Sequence, residues 1–237
     1  MTFFSKSWST DCSVTTLCGI LAGIFAVYVY PLPLFAPRDN TVQLLLFQLL
    51  CSAVTAVWTI WMFNLSTPAG KLPEKLGISM PGKKSILHTL SFLPLLLVGV
   101  AAITMHWKYT LRKLEIPFEE QQEMLKLVSF DSISQVSLLI LLVVMIVPFL
   151  EELIFRRILF DLFARSTGYN GAAFLSAGVF SAAHGFAAGA PALFLMGLAF
   201  QWIYSRSRNL ACAVLLHSLC NLFAVAVMVI SKTGTGI

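Results

Sequence analysis

Apolar runs of bilayer length, separated by short polar or Pro/Gly-rich breaks, dominate this chain. A membrane helix needs about 20 apolar residues, and runs at 14–35, 42–64 and 86–105 meet that length. Pro31, Pro33 and Pro37 close the first run, and an Arg38-Asp39-Asn40 turn leads to the second. The first run is too long for a leader core and lacks a small-x-small cleavage site, which predicts a retained helix. Segment 66–84, with four lysines and with Pro and Gly spread through it, predicts a polar loop. The longest polar stretch, 107–135, mixes acids and bases; Met124, Leu125 and Val128 give 117–128 the spacing of a short surface helix. From 134 the pattern predicts a helix to about 165, a turn at 166–170, and a fifth helix ending near His184. A sixth span over 191–204 and a seventh over 210–230 complete the expectation.

Composition fixes the solvent. Of the 237 residues 58% are hydrophobic and 11% charged, with a mean hydropathy of +0.84. A soluble domain carries about 25% charged residues, so this surface is built for lipid. The continuous apolar runs exclude a barrel, whose strands alternate. The expected fold is an all-α, polytopic membrane helical bundle of about seven to eight transmembrane helices. It forms one domain over 1–237, with a catalytic core at about 134–230.

The +5 net charge does not indicate nucleic acid, because the basic residues lie in short clusters between apolar runs. No nucleic-acid partner is expected; the bilayer is. Placing the N-terminus in the cytoplasm puts ten of the sixteen Lys and Arg on that side, the orientation favoured for a protein of the cell membrane. Trp58, Trp61, Trp107 and Trp202 read as interfacial anchors. The five cysteines show no CxxC spacing, so neither a disulfide framework nor a thiolate metal site is expected.

One stretch does not fit a passive span. Glu151 and Glu152 follow an uncharged apolar run and are flanked by apolar residues. An isolated ionised carboxylate in hydrocarbon costs several kcal/mol, so other groups must use or neutralise these two. Arg156 lies at i,i+4 from Glu152 with the acid first, the better orientation for a helical ion pair. Glu151, about 100° around the helix, then has no local cation and suits proton transfer. Glu151 and His184 stand about sixteen residues either side of the turn, so at ~1.5 Å per residue they lie level in the membrane. His217 and Asn221 share one face of the last helix at i,i+4, and Phe180 has the same spacing to His184. Ionisable groups inside a membrane are functional candidates by default. Arg157, Asp161 and Arg165 read instead as an interfacial charge ladder, and His88 and His106 as structural.

These residues resemble the motifs of the CAAX-protease and bacteriocin-processing intramembrane endopeptidases, the CPBP or Abi family. EExxxR corresponds to Glu151 to Arg156, FxxxH to Phe180 to His184, and HxxxN to His217 to Asn221. The resemblance covers about 147–223, with Arg157 standing where family members often carry Gly. It implies an intramembrane endopeptidase acting on membrane-associated peptides or protein tails. Glu151 would be general base on a water held with the help of His184. His217 and Asn221 would donate to the oxyanion, with Glu152, Arg156 and Phe180 in support; a neutral His217 would then present an N–H inward.

No cofactor is expected on this reading. The alternative is a zinc-dependent metalloprotease with Glu151, His184 and His217 as ligands, although the HExxH of a zincin is absent. A non-catalytic proton-coupled transporter or immunity membrane protein is a further alternative, against which stands the lack of paired repeats.

Overall fold

The computed structural model describes residues 14–28, 41–65, 76–118, 133–184 and 187–234. Its helices are α1 (Val14–Tyr28), α2 (Thr41–Leu65), α3 (Lys83–Lys113), α4 (Ile133–Ile140), α5 (Val147–Glu152), α6 (Phe160–Ala183), α7 (Ala190–Ser207) and α8 (Leu210–Gly234). Two π-helical segments, π1 (Leu141–Ile146) and π2 (Leu153–Leu159), join α4 to α5 and α5 to α6. No strand occurs among the described residues.

Among the described residues three stretches are long and apolar enough to cross a membrane, 83–113, 136–183 and 210–230; 14–23 and 49–62 are shorter apolar helices. With the composition, they make this an integral membrane protein, while the expected seven to eight spans are not established. The surface helix expected at 117–128 lies, past Phe118, outside the described residues. α3 runs to Lys113, two turns beyond the expected end at 105. Leu111 is buried there, so tertiary packing carries the helix through a segment that composition alone marks as polar.

The 136–183 stretch is two antiparallel arms. The Phe155 and Phe180 rings lie 5.1 Å apart, whereas 25 residues of straight helix would separate them by ~37 Å. The reversal occurs at Gly168, whose φ of 70° and ψ of −178° belong to a region that only glycine occupies readily. Ser176 ties the arms together by donating to Phe155 O at 2.5 Å.

Lipid tails are as apolar as leucine, so helix association in a membrane depends on close packing and interhelical hydrogen bonds. Both are present. α6 and α7 meet where a Cβ on Gly197 would stand 2.9 Å from Ala177 Cβ. In the seam between α1 and α2, Trp58 Nε1 donates to Gly19 O at 3.2 Å, and its ring fills the space over Gly23. Trp58 thus packs α1 against α2.

At the Gly168 end, Tyr169 Oη donates to Ser205 Oγ at 2.9 Å. Asn209 Nδ2 donates to Ser79 O at 2.9 Å, and Leu210 N to Gly77 O at 2.8 Å. Asp161 is buried and paired at i,i+4 with Arg157, one rung of the charge ladder expected there.

Candidate active site

Glu151 and Glu152 close α5 between the two π segments. A π turn holds one extra residue and shifts the facing of everything beyond it; such turns are frequent at functional sites. The two adjacent carboxylates project into different surroundings.

Glu152 is fully buried, as is Arg156. Arg156 Nε lies 2.9 Å from Glu152 Oε2 and Nη2 lies 3.4 Å from Oε1. The shorter contact falls off the hydrogen-bond axis, so charge rather than direction holds the pair. Three rings enclose the guanidinium: Phe180 at 4.7 Å, Phe200 at 5.5 Å and Phe155 at 5.8 Å from their centroids. Ring faces attract a desolvated cation, which helps Arg156 persist with Nη1 lacking a hydrogen-bond partner.

Glu152 also reaches across to α8. His217 Nδ1 lies 2.9 Å from Glu152 Oε1. A carboxylate accepts only, so Nδ1 carries the hydrogen. The imidazole is buried, stacked on Phe200 at 4.6 Å and 21° and met edge-on by Phe180 at 5.9 Å. These contacts fix both its rotation and its tautomer.

Glu151 stands on the open side, with 23% of its side chain exposed. His217 Nε2 is 3.7 Å from Glu151 Oε2, and His184 Nε2 is 4.0 Å from Oε1. His184 Nδ1 lies 2.8 Å from Phe180 O; a carbonyl also only accepts, so that ring too is protonated at Nδ1. Both neutral imidazoles therefore turn an Nε2 lone pair towards Glu151. A neutral His217 spends its one N–H on Glu152, and donation inward from Nε2 requires the doubly protonated ring, unlike the neutral donor expected above. Glu151 Oε2 is enclosed without a hydrogen-bond partner.

Asn221, one turn beyond His217, donates from Nδ2 to Val143 O in π1 at 2.8 Å. The structure thus brings Glu151, Glu152, His184 and His217 together, adds Arg156 and Phe180 behind them, and turns the Asn221 amide to backbone. Phe200 escapes a reading of the sequence, since no local spacing links it to His217 or Arg156. Among the described residues no group of three or more His, Cys, Asp or Glu side chains is arranged to hold a metal ion.

Beside the site, an apolar groove of about 570 Å³ runs between α2, π1, α5 and α8. Its walls include Leu49, Ser52, Met145, Phe149, Leu150 and Ser218. Leu150 precedes Glu151 and Ser218 follows His217 in the chain, while the carboxylates and imidazoles themselves do not line the groove.

Residues 133–223 match the family model described as Type II CAAX prenyl endopeptidase Rce1-like. The chain is also 30% identical over 95 residues to the protein named "Putative membrane peptidase YdiL" of Bacillus subtilis (strain 168). That similarity covers 40% of this chain and 39% of the relative's length. No solved structure matches. All three motifs lie inside 133–223, and the likeness to the CPBP family is borne out over that segment.

Proposed function

We propose that this protein is an intramembrane endopeptidase in which Glu151 activates a water to attack a peptide carbonyl. The observation that carries the reading is Glu151 itself: a partly exposed carboxylate faced by two imidazole Nε2 atoms, at 3.7 and 4.0 Å. Glu151 takes one proton of the water as its oxygen bonds to the carbonyl carbon. The Nε2 lone pair of His184 accepts from the other hydrogen and aligns the water. Glu151 then returns its proton to the amine as the C–N bond breaks, the usual economy of general acid–base catalysis.

His217, having taken a second proton from solvent onto Nε2 before the attack and keeping it throughout, serves the developing oxyanion as an imidazolium. Glu152 accepts from its Nδ1–H, as a carboxylate orients and stabilises the histidine of a hydrolase triad. Nε2–H then donates to the oxyanion, a charge-assisted bond and so a strong one. Arg156 holds Glu152 in place. The apolar groove suits a lipid-embedded segment of substrate, and the family description makes a prenylated CAAX tail one substrate class. The N-terminus is assigned to the cytoplasm of a cell membrane by the distribution of Lys and Arg.

A second reading has one observation in its favour. Histidines that ligate metal donate their other ring N–H to a carboxylate or backbone carbonyl, and both histidines here do so. Zinc on Glu151, His184 and His217 would activate the water as a Lewis acid. Activity of purified protein after exhaustive chelation supports the metal-free route; loss to chelator and recovery with stoichiometric zinc supports the other.

The test of the peptidase reading is a peptidomic comparison of membranes carrying the wild type or Glu151→Ala. Cleavage products absent from the variant are the expected result. Identical peptide pools would end the proposal.

A further inference from the structure

The carbonyl of Val143 lies where two irregularities of the Glu-bearing helix coincide. At the end of π1 the Val147 N–H reaches back five residues to Leu142 O. The donor that an α-helix would give Val143 is thus spent one residue upstream. The wider π register assigns Val143 O to the N–H of residue 148. That residue is Pro148, which has no N–H. A spanning segment has no water in the bilayer core to satisfy a released carbonyl. Asn221 Nδ2 meets it at 2.8 Å from the facing helix.

We propose that Asn221 is a positioning residue: it supplies the hydrogen bond that Pro148 withholds from Val143 and so holds π1 in register. This inference rests on the peptidase reading for its catalytic consequence. His217 to Glu152 and Asn221 to Val143 are two ties on one face of α8, one turn apart. Together they fix the rotation and the height of α5 against α8. Relaxing π1 by one residue would turn the chain by about 100°, which is enough to change the side of the helix from which α5 meets α8. Asn221 thereby keeps Glu151 aimed at His217 without touching the reacting atoms itself.

A four-member cycle tests this: wild type, Asn221→Leu, Pro148→Ala, and the two combined. Alanine at 148 restores an N–H that the π register directs at Val143 O, so it should make the asparagine dispensable. Thermal unfolding in detergent micelles and cleavage of a farnesylated peptide with a CAAX tail are the two measurements. Asn221→Leu is expected to lower the Tm by about 4 °C and kcat by about tenfold, with KM little changed. Pro148→Ala alone should retain both, and the combination should recover Tm and kcat together.

An unaltered Tm in Asn221→Leu, or no recovery in the combination, overturns the proposal. Recovery of Tm without recovery of kcat overturns it too, by placing Asn221 at the reacting atoms. Should Asn221→Leu fail to fold, return of folded protein on adding Pro148→Ala is the supporting result, and continued misfolding the opposing one. If the wild type cleaves no peptide, the Tm cycle still decides the Val143 contact, and the failure belongs to the peptidase reading alone.

Discussion

Glu152 and His217, 65 residues apart in sequence, share a 2.9 Å hydrogen bond that decides which imidazole nitrogen faces Glu151. On the proposed mechanism, one carboxylate of the pair serves orientation and the other is left for chemistry. Burial separates the roles: Glu152 is enclosed, and Glu151 is partly open.

Glu152→Gln should damage stability and rate together. The amide keeps an acceptor for His217 Nδ1 but leaves Arg156 buried without its counter-charge, and breaking one partner of a buried ion pair costs about 3–5 kcal/mol. A Tm well below wild type in detergent, with cleavage reduced at least about tenfold, is the expected pair of results. An unchanged Tm would show that Arg156 does not depend on this partner.

Glu151→Gln should do the reverse. It removes a carboxylate whose Oε2 has no hydrogen-bond partner and which stands beside a second acid, so Tm should hold or rise. Loss of a general base costs about 10²–10⁴-fold in rate. Peptide cleavage and thermal unfolding measured on one preparation separate the two effects, and a stable but active variant would contradict the assigned role.

Phe200→Ala removes the ring that stacks on His217 and faces Arg156. Truncating a buried phenylalanine costs about 3–5 kcal/mol, and the freed imidazole should lower kcat more than it raises KM. Phe200→Leu, which refills part of the volume without the ring face, should recover stability more than kcat. Equal recovery of both would mean that Phe200 acts through packing alone.

Gly197→Ala places a methyl 2.9 Å from Ala177 Cβ and 3.0 Å from its Cα. Overpacking of this kind costs about 1–3 kcal/mol, read as a lowered Tm. Ala177→Gly would relieve only the Cβ contact, since the Cα at 3.0 Å stays and a helix-interior glycine itself costs about 0.5–1 kcal/mol. If Gly197→Ala leaves the Tm unchanged, the α6–α7 contact is not as close as described.

Much of this arrangement can be read from the chain, and the reasons are local. Glu151 and His184 come level because each stands about the same number of residues from Gly168, whose φ of 70° reverses the helix. The Glu152–Arg156 pair follows from i,i+4 spacing on one helix. The bond from His217 to Glu152 does not, since side-chain facing across helices depends on rotation that apolar periodicity leaves open in a span apolar on all sides. The π segments are equally hidden: Leu141–Ile146 is an uninterrupted apolar run that fits an α turn as well as a wider one. Phe200 is one of nineteen phenylalanines, and nothing in its neighbourhood marks it. The extension of α3 through Lys108 and Arg112 was masked by charge, although Leu111 is 4% exposed.

The two wide turns flanking the paired acids have a consequence for how this helix tolerates changes in length. A π turn carries a surplus residue relative to the α-helix, so excising one residue from 141–146 or 153–159 need not break the helix at all. It would leave an ordinary, better-bonded rod. That rod would be indexed differently: each excision re-clocks one arm against the other by about 100°. Chain-shortening variants here should therefore insert and persist in the membrane as intact proteins while being catalytically mute.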